Sequence, residues 1–186
     1  MLLLVGLGNP SPNNEDNRHN IGFKIIDAIN QKFSLSKQKP KFKGLLTTGK
    51  IGDKKVYAIK PLTFMNNSGT CIRELIEYFK IDPKNVIVFH DDLDINFGKI
   101  KAKFGGSSAG HNGIESIDKF IGKDYSRVRI GIGRPQNNDA TSDHVLDNFN
   151  DDEKSALNNL ITNITNSFTI LVDKKLDLFS SKVNNS

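Results

Sequence analysis

The 186-residue sequence predicts a single α/β domain, a sandwich in which α-helices cover a twisted, mixed β-sheet. Short apolar runs that are typical of strands alternate along the chain with segments whose apolar residues recur at helical spacing. Two predicted strands, residues 44–51 and 54–60, flank the Gly52–Asp53 turn, a hairpin signal that makes the sheet mixed rather than purely parallel. The chain length suits one compact domain. We therefore expect one domain over residues 1–186.

The first half of the chain begins with a predicted strand and a helix. Leu2 to Leu7 is a continuous apolar run, typical of a buried strand, and a polar loop follows as far as Asn20. A helix is then predicted by apolar residues at positions 21, 25, 26, 29 and 33. After the hairpin, Asn67 or Ser68 can cap a second helix. Its predicted core stripe is Ile72, Leu75, Ile76 and Phe79.

The second half continues the alternation of strands and helices. Residues 86–89 form a short apolar strand, and the alternating patterns at 99–104 and 127–133 predict strands with one exposed face. Apolar residues between 157 and 172 predict a strongly amphipathic helix. We expect the tail after about residue 179 to be frayed.

Composition favours a cytoplasmic protein with a polyanionic partner. Lys and Arg exceed Asp and Glu by 26 to 21, for a net charge of +5, although ordinary solubility could also account for this surplus. The single Cys71 cannot form an intramolecular disulfide, which suits a reducing compartment. The apolar start of the chain is too short for a secretion signal or a membrane span, so we expect no membrane association.

Polar segments with reactive side chains follow several of the predicted strands. They are Gly8–Asn20, Thr63–Asn66, His90–Asp92 and Gly110–Gly113. Ligand sites in open α/β sheets gather beyond the carboxyl ends of the strands. Convergence of these segments would bring histidine, carboxylate and amide groups into one cleft, where they could activate water and stabilise an oxyanion.

Each of these residues also has a purely structural interpretation. A lone His19 could be an ordinary surface-loop histidine. Asn66 could cap a helix. Asn112, with Glu115 three residues later, resembles a capping box at the start of a third helix.

Three other functions are conceivable from the residues alone. Gly6-Leu7-Gly8 after a strand suggests dinucleotide binding, but Ser11 stands where the third glycine of that fingerprint belongs. A non-catalytic RNA-binding module would also suit the positive charge. A metal-dependent phosphohydrolase could use the following side chains: His90, Asp91, Asp92 and Asp94.

Several segments taken together point to a known family. They are Gly6–Pro10, Arg18–Phe23, Lys60–Gly69, His90–Asp94, Gly110–Gly113 and Arg127–Gly133. In content, order and spacing they resemble the motifs of the bacterial-type peptidyl-tRNA hydrolases, and the resemblance extends to about residue 150. It implies an enzyme that hydrolyses the ester between a peptide, or an N-blocked amino acid, and the 3′ end of tRNA, and so recycles tRNA during translation.

The resemblance also implies roles for three residues. His19 would be the general base that activates water, a task suited to imidazole because its ordinary pKa of about 6.5 lies close to working pH. Asp91 would accept the other ring N–H and orient the imidazole. Asn66 would bind the substrate carbonyl or the developing oxyanion. No metal, cofactor or covalent intermediate is expected.

Further positions are implied to bind peptidyl-tRNA, the expected partner. Asn9 would distinguish a blocked amino group from a free one, and Phe64 and Asn112 would line the cleft for the terminal nucleotide. The candidates for phosphate contacts are Lys101, Lys103 and Arg129. We expect a monomer with no obligate protein partner.

The chain departs from the family pattern at two positions. Ser11 replaces a usual glycine, and Asn14 stands where a tyrosine usually contacts the tRNA end. Asn14 can form hydrogen bonds but cannot stack on a base, so that contact must differ here.

Overall fold

The computed structural model describes residues 1–10, 12–136 and 139–186, and it confirms the α/β sandwich. The strands of the described chain are β1 (Leu2–Gly6), β2 (Lys39–Lys41), β3 (Gly44–Ile51), β4 (Lys54–Pro61), β5 (Val86–Asp92), β6 (Ile100–Phe104) and β7 (Ser126–Gly131). Its α-helices are α1 (Ile21–Lys32), α2 (Ser68–Phe79), α3 (Asn112–Ile121), α4 (Thr141–Leu146), α5 (Asp151–Asn166), α6 (Phe168–Val172) and α7 (Leu176–Asn184). Short 3₁₀ helices occur at Arg18–Asn20, Met65–Asn67 and Pro83–Asn85. None of the described helices is long and apolar enough to cross a bilayer.

The strands form one mixed sheet in the order β2-β3-β4-β1-β5-β7-β6. The central strand β1 runs parallel to β4 and β5, and β7 runs parallel to β5. The remaining neighbours are antiparallel, including the predicted hairpin of β3 and β4. The carboxyl ends of β1, β4, β5 and β7 therefore lie at one edge of the sheet, where the polar segments follow them.

Helices on both faces of the sheet bury two apolar clusters. Leu2 and Leu4 of β1 pack with α1 and the C-terminal helices, whereas Leu3 and Val5 pack with α2 and α3. Successive side chains of a strand point to opposite faces. A strand covered on both faces is therefore apolar at every position, which explains the unbroken run at the start of the sequence.

The C-terminal end of the chain differs from the prediction. The predicted helix over 157–172 is two helices, α5 and α6, separated at Ser167. The expectation of a frayed tail is wrong, because α7 continues to Asn184 and buries Val183. The Asn184 side chain accepts from the backbone N–H of Ile100 and donates to its carbonyl, both at 2.9 Å. Helix α7 therefore holds the edge strand β6 in place.

Candidate active site

A cleft of about 290 Å³ opens at the carboxyl end of β5. His19 and Asp91 line its floor, together with His111 and Asn112 from the start of α3. The residues of α4 form part of its opposite wall. The cleft therefore contains both members of the predicted His19–Asp91 pair, in the position expected for an open α/β sheet.

The loop before α1 holds His19 firmly. The Asn20 side chain accepts from the backbone N–H of Asn9 and donates to the Asn9 carbonyl, both at 2.8 Å. The Arg18 guanidinium donates to Glu153 of α5 at 3.0 Å and to the carbonyl of His144 at 3.2 Å. Contacts on both sides of His19 thus tie its backbone to Asn9 and to α5.

His19 and Asp91 form a buried hydrogen-bonded pair. The Nδ1 of His19 lies 2.9 and 2.8 Å from the two carboxylate oxygens of Asp91. His19 is 8% exposed and Asp91 is 2% exposed. Because an ionised carboxylate can only accept, Nδ1 carries the ring proton, and Nε2 of the neutral imidazole keeps its lone pair. That tautomer is the one a general base requires.

His111 is a member of this site to which the sequence analysis gave no role, although it singled out the segment Gly110–Gly113. Its Nε2 lies 2.8 Å from Oδ1 of Asp91. Its Nδ1 accepts from the backbone N–H groups of Gly113 and Ile114, at 3.1 and 3.3 Å. His111 is therefore the N-cap of α3, and the prediction that Asn112 caps this helix is wrong, because Asn112 is its first residue. Histidine is not a preferred capping residue, so capping preferences could not have identified it.

The surroundings keep Asp91 ionised and His90 neutral. Burial raises the pKa of Asp91, but the imidazoles of His111 and His19 together outweigh it and bring that pKa below its usual range. Burial lowers the pKa of His90 to about 3. The Nδ1–H of His90 donates to the carbonyl of Asp91 at 2.8 Å, so this ring supports the backbone of the site.

The donor set does not fit a metal ion. One ligand atom from each of His19, Asp91 and His111 lies within 4.8 Å of the others. However, the Nδ1 of His111 accepts from backbone N–H groups, so its ring proton must be on the nitrogen that faces Asp91. A metal ion there would have to displace that proton and create an imidazolate.

The alternative metal site of the sequence analysis also fits poorly. Asp92 binds Arg129 at 2.7 Å, and Asp94 binds Arg134 at 2.7 Å. Each carboxylate thus already has a cationic partner. The metal-dependent phosphohydrolase is therefore not supported by the charges of the site.

Asn66 lies in the neighbouring 3₁₀ helix, Met65–Asn67. The Asn9 side chain accepts from the backbone N–H of Met65 at 2.8 Å and so ties this turn to the loop that carries His19. A Cβ on Gly113 would lie 2.5 Å from Sδ of Met65 and 3.1 Å from Cε1 of His111, so glycine there allows the turn to pack against α3. The Asn66 side chain is exposed, and it is not among the residues that line the cleft of His19 and Asp91.

Phe64, which precedes this turn, has an unusual backbone conformation. Its side chain is 62% exposed, and its φ of 61° lies in a region that L-residues rarely adopt. Strain of this kind costs about 1–3 kcal/mol and tends to occur at functional positions. The conformation is therefore consistent with a substrate-binding role for Phe64.

The loop residue that replaces the family tyrosine is engaged with its own loop. The Asn14 side chain donates to the carbonyl of Pro10 at 2.8 Å and accepts from the Asn17 amide at 3.0 Å. These bonds stabilise the turn that leads to His19. Ser11, the other departure from the family pattern, lies outside the described residues.

The predicted phosphate-binding residues lie apart from the cleft, on β6 and β7. Lys101 and Lys103 are exposed, and Lys101 lies directly opposite Arg129 in the antiparallel register of β6 and β7. Arg129 is not a free cation, because it binds Asp92. Lys101 and Arg129 line a second, more open cleft that also contains Lys99. The structure thus groups these cations on the β6 side of the sheet.

Comparisons with known proteins agree with these features. The sequence model of the family described as peptidyl-tRNA hydrolase matches residues 3–186. A peptidyl-tRNA hydrolase of Pelagibacter ubique is 76% identical over 185 residues, covering 100% of both chains. One from Ehrlichia ruminantium is 48% identical, covering 97% of this chain and 93% of the other. The crystal structure of the Acinetobacter baumannii enzyme has a TM-score of 0.92 at 33% identity and covers 99% and 94% of the two chains.

Proposed function

This chain belongs to the peptidyl-tRNA hydrolase family, and from that premise we propose that His19, Asp91 and Asn66 hydrolyse the ester that joins a peptide to the 3′ end of tRNA. The chain is a hydrolase of ester bonds that acts in translation. The observation that carries the proposed mechanism is the buried contact between Nδ1 of His19 and the carboxylate of Asp91. Release of labelled N-acetyl-aminoacyl groups from tRNA, with unblocked aminoacyl-tRNA as the control, is the assay that tests it.

In the proposed reaction, Nε2 of His19 removes a proton from water as the water oxygen attacks the ester carbonyl. The resulting imidazolium is stabilised by Asp91 through the Nδ1–H bond. When the tetrahedral intermediate collapses, the C–O bond to the ribose breaks, and His19 returns the proton to the leaving ribose oxygen. Water supplies the only nucleophile, so no covalent intermediate forms.

We assign Asn66 to the carbonyl oxygen. Its side chain is exposed, on a turn whose neighbouring Met65 is bound by Asn9 and packs against Gly113 at the start of α3. A hydrogen bond from an amide N–H to the carbonyl oxygen becomes stronger in the transition state, because negative charge develops on that oxygen. Asn66 would therefore lower the barrier without taking part in proton transfer.

Replacing Asn66 with alanine should lower kcat by about 10²–10³-fold, the usual loss for one oxyanion donor. Asn67 offers a matched control, because it is an exposed asparagine in the same turn whose side chain forms no capping bond. Single-turnover hydrolysis of N-acetyl-aminoacyl-tRNA measures both variants. Similar losses in Asn66→Ala and Asn67→Ala would assign the effect to the turn and not to the Asn66 amide.

The remaining substrate contacts are proposed on the same basis. Asn9 would bind the first peptide group, and a free aminoacyl end would instead place an unsatisfied ammonium there. Asn112 lines the cleft, and the exposed Phe64 precedes the Met65–Asn67 turn; both would receive the terminal nucleotide. Asn14 would contact the tRNA end through hydrogen bonds alone. The monomeric state, the cytoplasmic location and the absence of an obligate protein partner stay predictions.

We place the tRNA backbone over β6 and β7. Lys101 and Lys103 are exposed on the edge strand β6, and Arg129 lies beside Lys101 with its guanidinium held by Asp92. The two lysines supply mobile positive charge, whereas Arg129 supplies an oriented one. Contacts of this kind position a phosphate backbone without reading its sequence, which suits an enzyme that accepts many tRNAs.

Replacing both Lys101 and Lys103 with alanine should weaken tRNA binding and reduce the salt dependence of its Kd by about one unit of slope for each phosphate that is no longer neutralised. Lys50 and Lys55 form a control pair, since their replacement removes the same charge. They face each other next to the turn of the β3–β4 hairpin, at the edge of the sheet opposite the cleft. Binding is measured between low and moderate salt. An identical reduction of slope in both double variants would show that net charge alone attracts tRNA.

A further inference from the structure

Asp91 serves two histidines at once. Its Oδ1 lies 2.9 Å from Nδ1 of His19 and 2.8 Å from Nε2 of His111. The His19 and His111 rings lie close to each other, with centroids 4.9 Å apart. The proposed reaction uses His19 and Asp91 but gives His111 no task. Its contact with the same carboxylate oxygen therefore needs an explanation.

The fold orients the His111 ring with Nδ1 as an acceptor and Nε2 toward Asp91. Protonation of its Nδ1 would break the two hydrogen bonds from the backbone of Gly113 and Ile114. It would also place a cation at the N-terminus of α3, where the helix dipole disfavours positive charge. The His90 ring packs against His111 in a T-shaped contact at 4.9 Å and fills the space behind it. His111 thus donates one N–H to Asp91.

We infer that His111 is a positioning residue that shares the negative charge of Asp91 and so weakens the hold of this carboxylate on a protonated His19, which leaves His19 free to act as a base. A carboxylate that served His19 alone would stabilise the His19 imidazolium more strongly and keep it protonated to higher pH. A second N–H donor on the same oxygen weakens that attraction. This inference rests on the proposed role of His19 as the base.

The other charges around His19 are mostly balanced within the described chain. Arg18, its neighbour, is paired with Glu153, and His90 is held neutral by burial. The other charged groups that line the cleft are in ion pairs: Asp92 with Arg129 of β7, and Asp94 with Arg134. Helix α4, which packs against the 3₁₀ helix of His19, carries Asp143 and His144, and neither lines the cleft. The bond from His111 to Asp91 is therefore the contact through which the charge felt by His19 can be changed most directly.

A matched pair of variants isolates this bond. Glutamine at position 111 can place an amide N–H where Nε2 of histidine lies, whereas methionine has a similar size and shape but no N–H. Both substitutions remove the Nδ1 acceptor that caps α3, so the loss of the cap is common to the two. Any difference between His111→Gln and His111→Met then reports the donor to Asp91.

The first measurement is the NMR titration of the His19 ring without substrate. We expect the titration midpoint to be higher by about one pH unit in His111→Met than in His111→Gln. The acid limb of kcat/KM should move in the same direction. At about pH 6 the kcat/KM of His111→Met should then be about tenfold lower than that of His111→Gln, and the difference should vanish in alkaline solution.

Equal midpoints in the two variants, or a lower one in His111→Met, would overturn the inference. A midpoint that moves while the acid limb stays would support charge sharing and instead contradict the role of His19 as the base. If the loss of the cap prevents folding, His111→Asn keeps the test available. Its side-chain oxygen can replace the Nδ1 acceptor of the cap, but it is too short to reach Asp91, so its midpoint should also rise.

Discussion

Replacing His19 with alanine should lower the rate of hydrolysis of N-acetyl-aminoacyl-tRNA by about 10³-fold or more. His19 is the residue whose Nε2 is left unprotonated by the bond from Nδ1 to Asp91, so no other described group of the cleft offers the same base. His111, the nearest imidazole, cannot replace His19 as the base. Its Nε2–H donates a hydrogen bond to Asp91, and its Nδ1 accepts the bond that caps α3. Single-turnover rates at saturating enzyme measure the loss.

The fold should survive this change. Asp91 keeps the N–H of His111, so the buried carboxylate is not left without a donor. His144 provides the control: it binds the carbonyl of Gly133 at 3.1 Å and does not line the cleft. We expect His144→Ala to stay within about threefold of the parent rate, as for a residue outside the reacting groups. Full activity of His19→Ala would remove His19 from the mechanism.

Replacing Asp91 with asparagine should cost about 10³–10⁴-fold in kcat, although the shape of the side chain is preserved. Both oxygens of the carboxylate accept from the two imidazoles, whereas an amide has only one acceptor oxygen. The amide nitrogen of asparagine would stand at the position of the second oxygen and donate to Nδ1 of His19. The ring proton of His19 would then be on Nε2, where the base must be unprotonated. Loss of the negative charge would also remove the stabilisation of the imidazolium. The affinity for tRNA should change little, because the carboxylate is buried.

The control for this variant is Asp94→Asn. Asp94 lines the same cleft and loses the same charge, but its partner is the exposed Arg134 and not a histidine. Hydrolysis rates and tRNA affinities measured side by side separate the two effects. Comparable losses of kcat in both variants would mean that the cleft needs negative charge in general and not a carboxylate that orients His19.

Much of the fold could be predicted because it depends on local patterns. The apolar run of β1, the hairpin at Gly52–Asp53 and the stripes of α1 and α2 are each contained in a short segment, and the structure confirms them. The prediction for the tail is wrong for the opposite reason. A short polar segment looks disordered by itself, and α7 is ordered because Phe179 and Val183 are buried and Asn184 binds β6.

The candidate site divides in the same way. Motif resemblance is sufficient to select His19, Asp91 and the turn with Asn66, and the structure brings the first two into contact across 72 residues of sequence. The place of His111 in the site could not be predicted, although its segment follows a strand. Its role depends on two contacts, one with the backbone of α3 and one with a carboxylate 20 residues earlier in the chain.

The sequence by itself determined the alternation of strands and helices, the family and the candidates for the reacting groups, because periodicity and motifs are properties of consecutive residues. Only the tertiary structure decided which ring nitrogen of His19 carries its proton, that His111 shares Asp91, and that Arg129 is already paired with Asp92. Those features depend on distances of about 3 Å between residues far apart in the chain. Such distances are set by how the strands pack side by side at one edge of the sheet, and no local pattern encodes them.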